Sequence, residues 1–584
     1  MKQFEFEYIN KSEFERDLDK IQVWCKSSII SNIVFHIFAE NFNTSRIDEI
    51  CDSIHNIFPN AKYLGCSTNG NVYNGTFTKK DIIVCTVFEY VSTNVDVLQY
   101  TLTNETEKEV TNNLIEYVKN NPWVKSIEFL TTIRGMSMTK FCEHLSKLPE
   151  NIKIFGGGAF AEDINDNTAN IFSNKCTYSD HSVAFLLIGG KDYFVETSFI
   201  SGWKPLGREL VITKSDGPNL IELDNKPAYD TYYRYLKIKN DKSFFKNTLE
   251  FPFVYNYNGI DILRAPTACT EDGTIIMASD MEENAKTRIA YGDPWTIIEN
   301  VKMEAQKYAK FKPDSMAIFS CAARHAFWGD LEVTKELMPF RQISSTYGFY
   351  TSSEFQRTNR HLIQHNVTLA IAAMREGNIN KNDTIQSIYT SNNMTSETSM
   401  ISRLANFIQA STEELEDAIK QLKYMAITDG MTGLYTRKEI QNKIIDEINS
   451  NKNEPISLIM LDIDNFKHIN DTYGHAEGDN VIVTLANMMK KNSNQHGESN
   501  FIGRWGGEEF MILCPNTNTE IACKIAEFIR TDFENLEFEK AEKCTISLGV
   551  TELQPGENSD AICIRVDNAL YKAKATGKNK VVAL

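Results

Sequence analysis

The 584-residue sequence predicts an α+β multidomain chain: a mixed α/β region in two parts, one connecting helix, and a smaller α+β domain at the C-terminal side. Three observations predict it. Residues 30–220 alternate short β-rich runs with helical patterns. A polar stretch over 380–398 leads into a heptad seam. From residue 428 onward, glycine turns and acidic residues stand at the ends of apolar, strand-like runs.

Length sets a prior of about four compact units at roughly 150 residues each. Hydrophobic content of 42% and charged content of 24% fit a globular chain with more than one core. Net charge is 61 − 78 = −17. That balance disfavours a nucleic acid polymer, whose phosphates are bound by Lys/Arg neutralisation. A nucleotide is not excluded, since it needs one local site and a cation. No apolar run reaches the ~18–20 residues that cross a bilayer, so no membrane partner is expected. The Met1–Glu7 segment lacks the basic start and apolar core of a signal peptide. The 12 cysteines contain no CxxC pair and read as reduced, mostly buried thiols, with the cytoplasm as expected compartment.

The elements follow in order. Ile33–Phe38, Ile82–Phe88 and Ser182–Ile188 read as buried strands, and Ile47–Phe58 and Val110–Val118 as helices. A helical stretch is expected around 221–235, with Pro227 in a first turn. A second mixed segment runs to about 375, and no internal repeat is legible. The expected parts are residues 20–220, 221–380, a linker and helix over 381–427, and a last domain over 428–584.

Within the linker-helix, Ile401, Leu404, Ile408, Ser411, Leu415, Ala418, Leu422 and Met425 are spaced alternately by three and four. This is a seam of about three and a half heptads. A single amphipathic surface helix would show the same pattern. The position between two domains and the charged flanks favour a parallel coiled coil and hence a homodimer. Ser411 and Ala418 make the seam weak, which suits a switch.

Chemistry concentrates in the last domain. A strand over Ile456–Leu461 delivers Asp462-Ile463-Asp464-Asn465-Phe466-Lys467, followed by Asn470-Asp471, Gly474-His475 and Gly478-Asp479, with a helix over about 479–490. Then come Arg504-Trp505-Gly506-Gly507-Glu508-Glu509-Phe510. A carboxylate ending a buried strand is costly unless it is paired or binds metal. Gly506-Gly507 reads as a hairpin tip whose glycines tolerate φ > 0 and let a ligand come close. Acidic groups from separate strands fit a hard cation shared with phosphate oxygens. Lys574 and Lys578 add positive charge for those phosphates.

With these motifs in this order, residues 428–584 resemble the GGDEF diguanylate cyclase family essentially end to end. The resemblance implies a fold similar to the palm of polymerases and adenylyl cyclases. It implies that Asp462 and Glu508, with the Ile463 carbonyl, hold Mg²⁺ (or Mn²⁺), and that Glu509 binds metal or activates a 3′-hydroxyl. Asn470 and Asp479 are implied to read the guanine edge, Gly506 and Gly507 to pack on the nucleotide, and Lys467, Lys574 and Lys578 to meet phosphates. The family more often has Arg where Lys578 stands, which puts a bidentate contact there in doubt. The implied reaction joins two GTP into cyclic di-GMP in a dimer. The Arg and Asp of the family's inhibitory RxxD site are missing from the Gly497–Asn500 window, so product inhibition through it is not expected. Asp479 is intact, so GTP selectivity is expected.

Earlier in the chain stand Gly65–Gly70, Gly156–Asp163, Gly202–Gly207, Leu223–Ala228, Phe319–Arg324, Tyr347–Tyr350, Glu354 and His365–Thr368. Together, residues 20–375 resemble a FIST sensory module with its N and C halves. Ser353 departs from the Gly that members often carry before this Glu. The resemblance implies a small-molecule ligand, an amino acid or similar metabolite. Cys66, Cys321, Arg324 and Glu354 are the candidate ligand residues. The cysteines would equally serve as small core hydrophobes, and Arg324 would equally form an internal pair with Glu354. The expected function is a ligand-regulated diguanylate cyclase. The alternative is a non-catalytic GTP-binding or cyclic-di-GMP-signalling switch or adaptor.

Overall fold

Apolar runs without polar alternation form strands covered on both faces, and one arrangement of such strands occurs three times in the N-terminal part of this computed structural model. Residues 41, 134–135, 161–168, 175, 379–399, 451–453 and 494–499 are not described. Ala161–Asp163 of the glycine segment, the linker over 380–398, residues 497–499 of the RxxD window and the Ile401 side chain therefore lie outside the described residues. The chain divides into two units, Met1–Ala410 and Ser411–Leu584.

In the first module, Asn32–Ala39 runs parallel to Lys62–Ser67 by way of the Thr44–Ile57 helix. It runs antiparallel to Ile82–Phe88, whose other neighbour is Lys2–Glu7. In the second, Val124–Thr131 runs parallel to Lys153–Gly158 by way of Met138–Leu145, and antiparallel to Ser182–Gly189, which pairs with Asn94–Thr101. In the third, Ser315–Cys321 runs parallel to Ser345–Thr351 through two helices, and antiparallel to Leu369–Glu376, which pairs with Tyr193–Ile200.

Each sheet is completed by a hairpin from another module. Asn71–Thr78 of the first lies on Ser345–Thr351 of the third. Ile171–Ser179 of the second lies on Lys62–Ser67 of the first. Glu354–His365 of the third lies on Lys153–Gly158 of the second. The exchange is cyclic, so the two expected halves of this region are interleaved. The repeat that the sequence does not display is one of topology. Between the sheets lie Val34, Phe38, Leu130, Ala317 and Phe319, together with a His36–Glu128 pair at 3.1 Å whose side chains are 2% and 0% exposed.

Residues 203–292 insert an antiparallel eight-stranded sheet with its own core around Leu210, Ile212, Phe253 and Ile262. The helix expected over 221–235 begins only at Ala228, with Pro227 at its N-cap. Asn219–Leu223 is a strand instead. Asp224 and Asn225 both take positive φ (52° and 60°), making a tight turn that ends this strand and fixes Leu220 and Leu223 in the core. The 11 described cysteines are free thiols. No helix among the described residues is long and apolar enough to cross a membrane.

In the C-terminal unit the sheet order is Phe501–Gly506, Glu509–Cys514, Ser457–Ile463, Ile546–Glu552 and Val581–Ala583. The last pair is parallel and the others antiparallel. His475–Ser493 and Thr519–Glu534 cover one face, and Arg437–Ser450 and Ser559–Ala575 the other. The central strand is buried along its whole length, which carries its one carboxylate, Asp462, into the fold. The helix Met400–Ile427 presents Leu404, Ile408, Leu415, Leu422 and Met425 at 46–72% exposure.

Candidate active site

Asp462 ends the central strand and stands in register with Glu509 on the neighbouring strand. Its Oδ2 accepts an ion pair from Lys574 Nζ at 2.7 Å. Burial pushes the Asp462 carboxyl up to about 6; Lys574 opposes that shift, while the charges of Glu508 and Glu509 add to it. Asp462 therefore feels two further carboxylates and is itself held by one lysine on the last turn of Ser559–Ala575. A cation at that helix end is favoured by the dipole.

Gly506 and Gly507 form the hairpin tip as expected, but neither takes a positive φ. Glycine is used there for space. A Cβ on Gly507 would meet nothing within 4 Å, and one on Gly506 only Glu509 Oε2 at 3.1 Å. The tip is fixed from behind by Arg504, whose Nε and Nη2 donate to the Gly507 carbonyl at 3.0 and 2.7 Å. Arg504 Nη1 reaches Asp429 at 3.2 Å. Burial alone would raise Asp429, but hydrogen bonds from Thr432 and the Arg504 charge hold it below the usual carboxylate range. The Thr428–Tyr435 loop thereby meets the backbone of the glycine tip through one side chain. Both groups are partly exposed, so the pair contributes about 0.5–1 kcal/mol.

Asp464 is buried and holds no open face. It accepts from Ser547 Oγ at 2.7 Å, Thr545 Oγ1 at 2.8 Å and the Asn579 amide at 3.0 Å. It joins the strand that bears Asp462 to the turn that bears Lys578. That turn is tight, with Lys578 and Asn579 at φ 61° and 43°. Lys578 Nζ meets Asn465 Oδ1 at 2.5 Å.

The Phe466–Tyr473 helix ends at Gly474 (φ 87°), and the next helix starts at once with His475, earlier than the expected 479. The two pack so closely that a Cβ on Gly478 would lie 2.0 Å from Asn470 Oδ1. Asn470 is thus seated against Gly478, while Asp479, one residue on, is exposed, as is Lys467. Among the described residues no group of three or more acidic, His or Cys side chains stands ready as a metal cage. Two carboxylates and a backbone carbonyl are nevertheless what Mg²⁺ commonly takes from protein, with phosphate oxygens and water supplying the rest. The donor set of Asp462, Glu508 and the Ile463 carbonyl fits that chemistry.

The four candidate ligand residues of the N-terminal unit are all buried. Arg324 does not pair with Glu354. Its Nε and Nη2 bind Glu336 at 3.1 and 2.6 Å, its Nη1 takes the Ser201 and Val367 carbonyls at 2.9 and 3.1 Å, and its plane lies over Trp203. Arg324 and Glu336 are both fully buried. A guanidinium so surrounded has nothing left to offer a ligand. Glu354 is held by Thr368 and Thr351, and burial pushes it up to about 8. Cys321 adjoins Glu354, and burial raises its thiol far above the usual range. Cys66 lies apart, in the first module, and is likewise raised by burial.

Residues 426–580 match the family model of the diguanylate cyclase GGDEF domain, residues 33–226 that of the FIST N domain and residues 228–357 that of the FIST C domain. Diguanylate cyclase DgcM of Escherichia coli (strain K12) is 38% identical over 168 residues, covering 28% of this chain and 40% of that protein. A diguanylate cyclase of Vibrio cholerae serotype O1 is 41% identical over 165 residues, covering 28% of this chain and 50% of its own length. Among solved structures, the coiled coil and GGDEF domain of DgcB from Caulobacter crescentus, in complex with c-di-GMP, is 31% identical, covers 32% of this chain and 99% of that one, and has a TM-score of 0.30. This chain thus spans about half or less of the curated relatives' length.

Proposed function

The chain carries FIST N, FIST C and GGDEF domains in that order, and we propose that it is a diguanylate cyclase that condenses two GTP into cyclic di-GMP and two pyrophosphates under control of its FIST region. The single observation that carries the reading is Asp462 in register with Glu509 beside an open glycine tip, where burial and the charges of Glu508 and Glu509 raise it to about 6. Carboxylates that repel one another in a half-buried site are poised for a cation.

Asp462, Glu508 and the Ile463 carbonyl would hold Mg²⁺ or Mn²⁺. When bound, the cation lowers the pKa of the attacking hydroxyl and neutralises charge on the phosphates. The chain's own residues do the rest. Glu509, opposite Asp462, takes the 3′-hydroxyl proton or joins the cation. The 3′-oxygen of one GTP bonds to the α-phosphorus of the other, and pyrophosphate leaves with the bonding pair. The same exchange in the reverse direction closes the ring. Lys574, which pairs with Asp462 at 2.7 Å, would also be in place to meet a phosphate oxygen. Lys467 and Lys578 meet further phosphate oxygens. Asn470 and the exposed Asp479 bind the guanine edge, where a carboxylate accepts from N1–H and N2–H and so rejects adenine.

Each domain supplies half of the reaction, so the working species is a homodimer. The exposed apolar positions of Met400–Ile427 support this, since a coiled coil would bury them. Purified protein incubated with GTP and Mg²⁺ is expected to yield cyclic di-GMP by mass spectrometry. No product, even with forced dimerisation, refutes the enzyme and favours a GTP-binding switch.

A further inference from the structure

The N-terminal unit contains a cavity of about 370 Å³ that none of the four candidate ligand residues lines. That volume suits a small metabolite. Its wall comes from three distant stretches of chain: the Met138–Leu145 helix, the inserted sheet around 255–282, and the His361–His365 strand.

The floor is Arg264, Tyr255, Cys142 and Gln364, each less than 8% exposed. Arg264 spends Nε on the Asp280 carbonyl at 3.0 Å, and Nη1 on the Leu263 and Gln364 carbonyls at 3.0 Å each. Its guanidinium forms no ion pair with a carboxylate among the described residues. The Asp280 carboxylate, which also lines the cavity, accepts at Oδ2 from the hydroxyls of Ser137 and Thr139. The other buried guanidinia of this unit are closed off, Arg324 by the fully buried Glu336 and Arg357 by the carbonyls of Ser146, Leu148, Pro149 and Ile152, whereas Arg264 lines a cavity with room for a carboxylate partner. A buried cation without one is costly and is relieved by an anion. At the rim the sign reverses. Glu143 and Glu282 are both exposed, and burial together with these two carboxylates raises the Tyr257 phenol that lines the cavity with them. A simple anion would be repelled at this mouth, and a simple cation would find Arg264 at the floor.

We infer that this cavity is the ligand site of the N-terminal unit, and that it takes a small extended zwitterion whose carboxylate meets Arg264 and whose cationic group lies between Glu143 and Glu282. The inference rests on the reading of this unit as a sensor, and binding is measured apart from cyclase output so that the two fail separately. The probes are the ω-amino carboxylates from glycine to 6-aminohexanoate, with the unbranched carboxylates and amines of matching length, titrated calorimetrically into the full chain. At least one zwitterion is expected to bind ten times or more tighter than its matching carboxylate and amine. Arg264→Gln should abolish binding. Because Arg264 also holds three carbonyls, the decisive variant is Glu143→Gln with Glu282→Gln at the exposed rim. It should cut the preference for zwitterion over carboxylate at least tenfold while leaving the melting temperature unchanged. Absence of binding by every probe, equal binding of carboxylates, or an indifferent rim variant overturns the site. Binding that leaves cyclic di-GMP production unchanged sustains the site and refutes the sensor reading.

Discussion

Asp462→Asn is expected to disable the proposed chemistry and to make the metal-free protein more stable. In the folded chain the carboxyl rises from 3.8 to about 6, chiefly through burial. A shift of that size means that the ionised carboxylate costs the fold about 3 kcal/mol at neutral pH. Asparagine removes the charge at nearly constant volume, and Lys574, one-third exposed, stays hydrated without its partner. We expect a gain of about 2–3 kcal/mol at pH 7.5, or about 5–10 °C in the transition of the C-terminal unit. The sign of the pH dependence follows from the raised pKa. Below pH 4 the carboxyl is protonated folded or unfolded, and the gain vanishes. It grows as pH climbs from 4 to 6 and is complete above that. Differential scanning calorimetry in chelator, run from pH 4 to 8 on parent and variant, reads this directly. Added Mg²⁺ with GTP should then raise the parent's transition and leave the variant's unmoved. A variant that melts at or below the parent at pH 7.5, or a gain that persists at pH 4, refutes the reasoning.

Other substitutions test other joints. Arg504→Ala frees the Gly507 carbonyl and should lower kcat at least tenfold with a stability loss of about 1 kcal/mol; a double-mutant cycle with Asp429→Asn should show coupling, and additive effects would refute the link. Gly478→Ala drives a methyl into Asn470 and should raise KM for GTP more than tenfold at a cost of about 1–3 kcal/mol; an unchanged KM would remove Asn470 from the guanine site. Glu336→Ala strands a buried guanidinium and should cost the N-terminal unit about 3–5 kcal/mol by denaturant melting, and a loss under 1 kcal/mol would refute its partnership with Arg324.

What could be read from the sequence depended on distance along the chain. The glycine tip and its acidic neighbours are consecutive residues, and strand alternation sets Glu509 against Asp462 across one hairpin and one sheet neighbour. The D-x-D spacing of Asp462 and Asp464 carries both carboxylates, but not their division of labour, because Asp464 finds its partners at 545–547 and 579. Arg324 is legible as a cation that pairs with a ligand carboxylate or with Glu354, but not as the partner of Glu336, since neighbours on two successive helices offer no periodic signal. The cyclic strand exchange left no trace, because the three modules share hydrogen-bond topology rather than residues. The cavity over Arg264 is assembled from segments over 200 residues apart, beyond any local pattern.

The ring of exchanged hairpins has a consequence for synthesis. Residues 71–78 find their sheet only when 345–351 exist, and residues 153–158 are completed only by 354–358. No single module can close alone as the chain leaves the ribosome, where domains otherwise fold in order of emergence. Edges wait unpaired through some 200 to 280 residues of elongation, and contacts of such sequence separation form slowly. The C-terminal unit, whose sheet is drawn from residues 457–583 alone, carries no such debt. Truncation anywhere before residue 376 should therefore leave insoluble N-terminal fragments, whereas nascent chains extended past it gain protease resistance in one step.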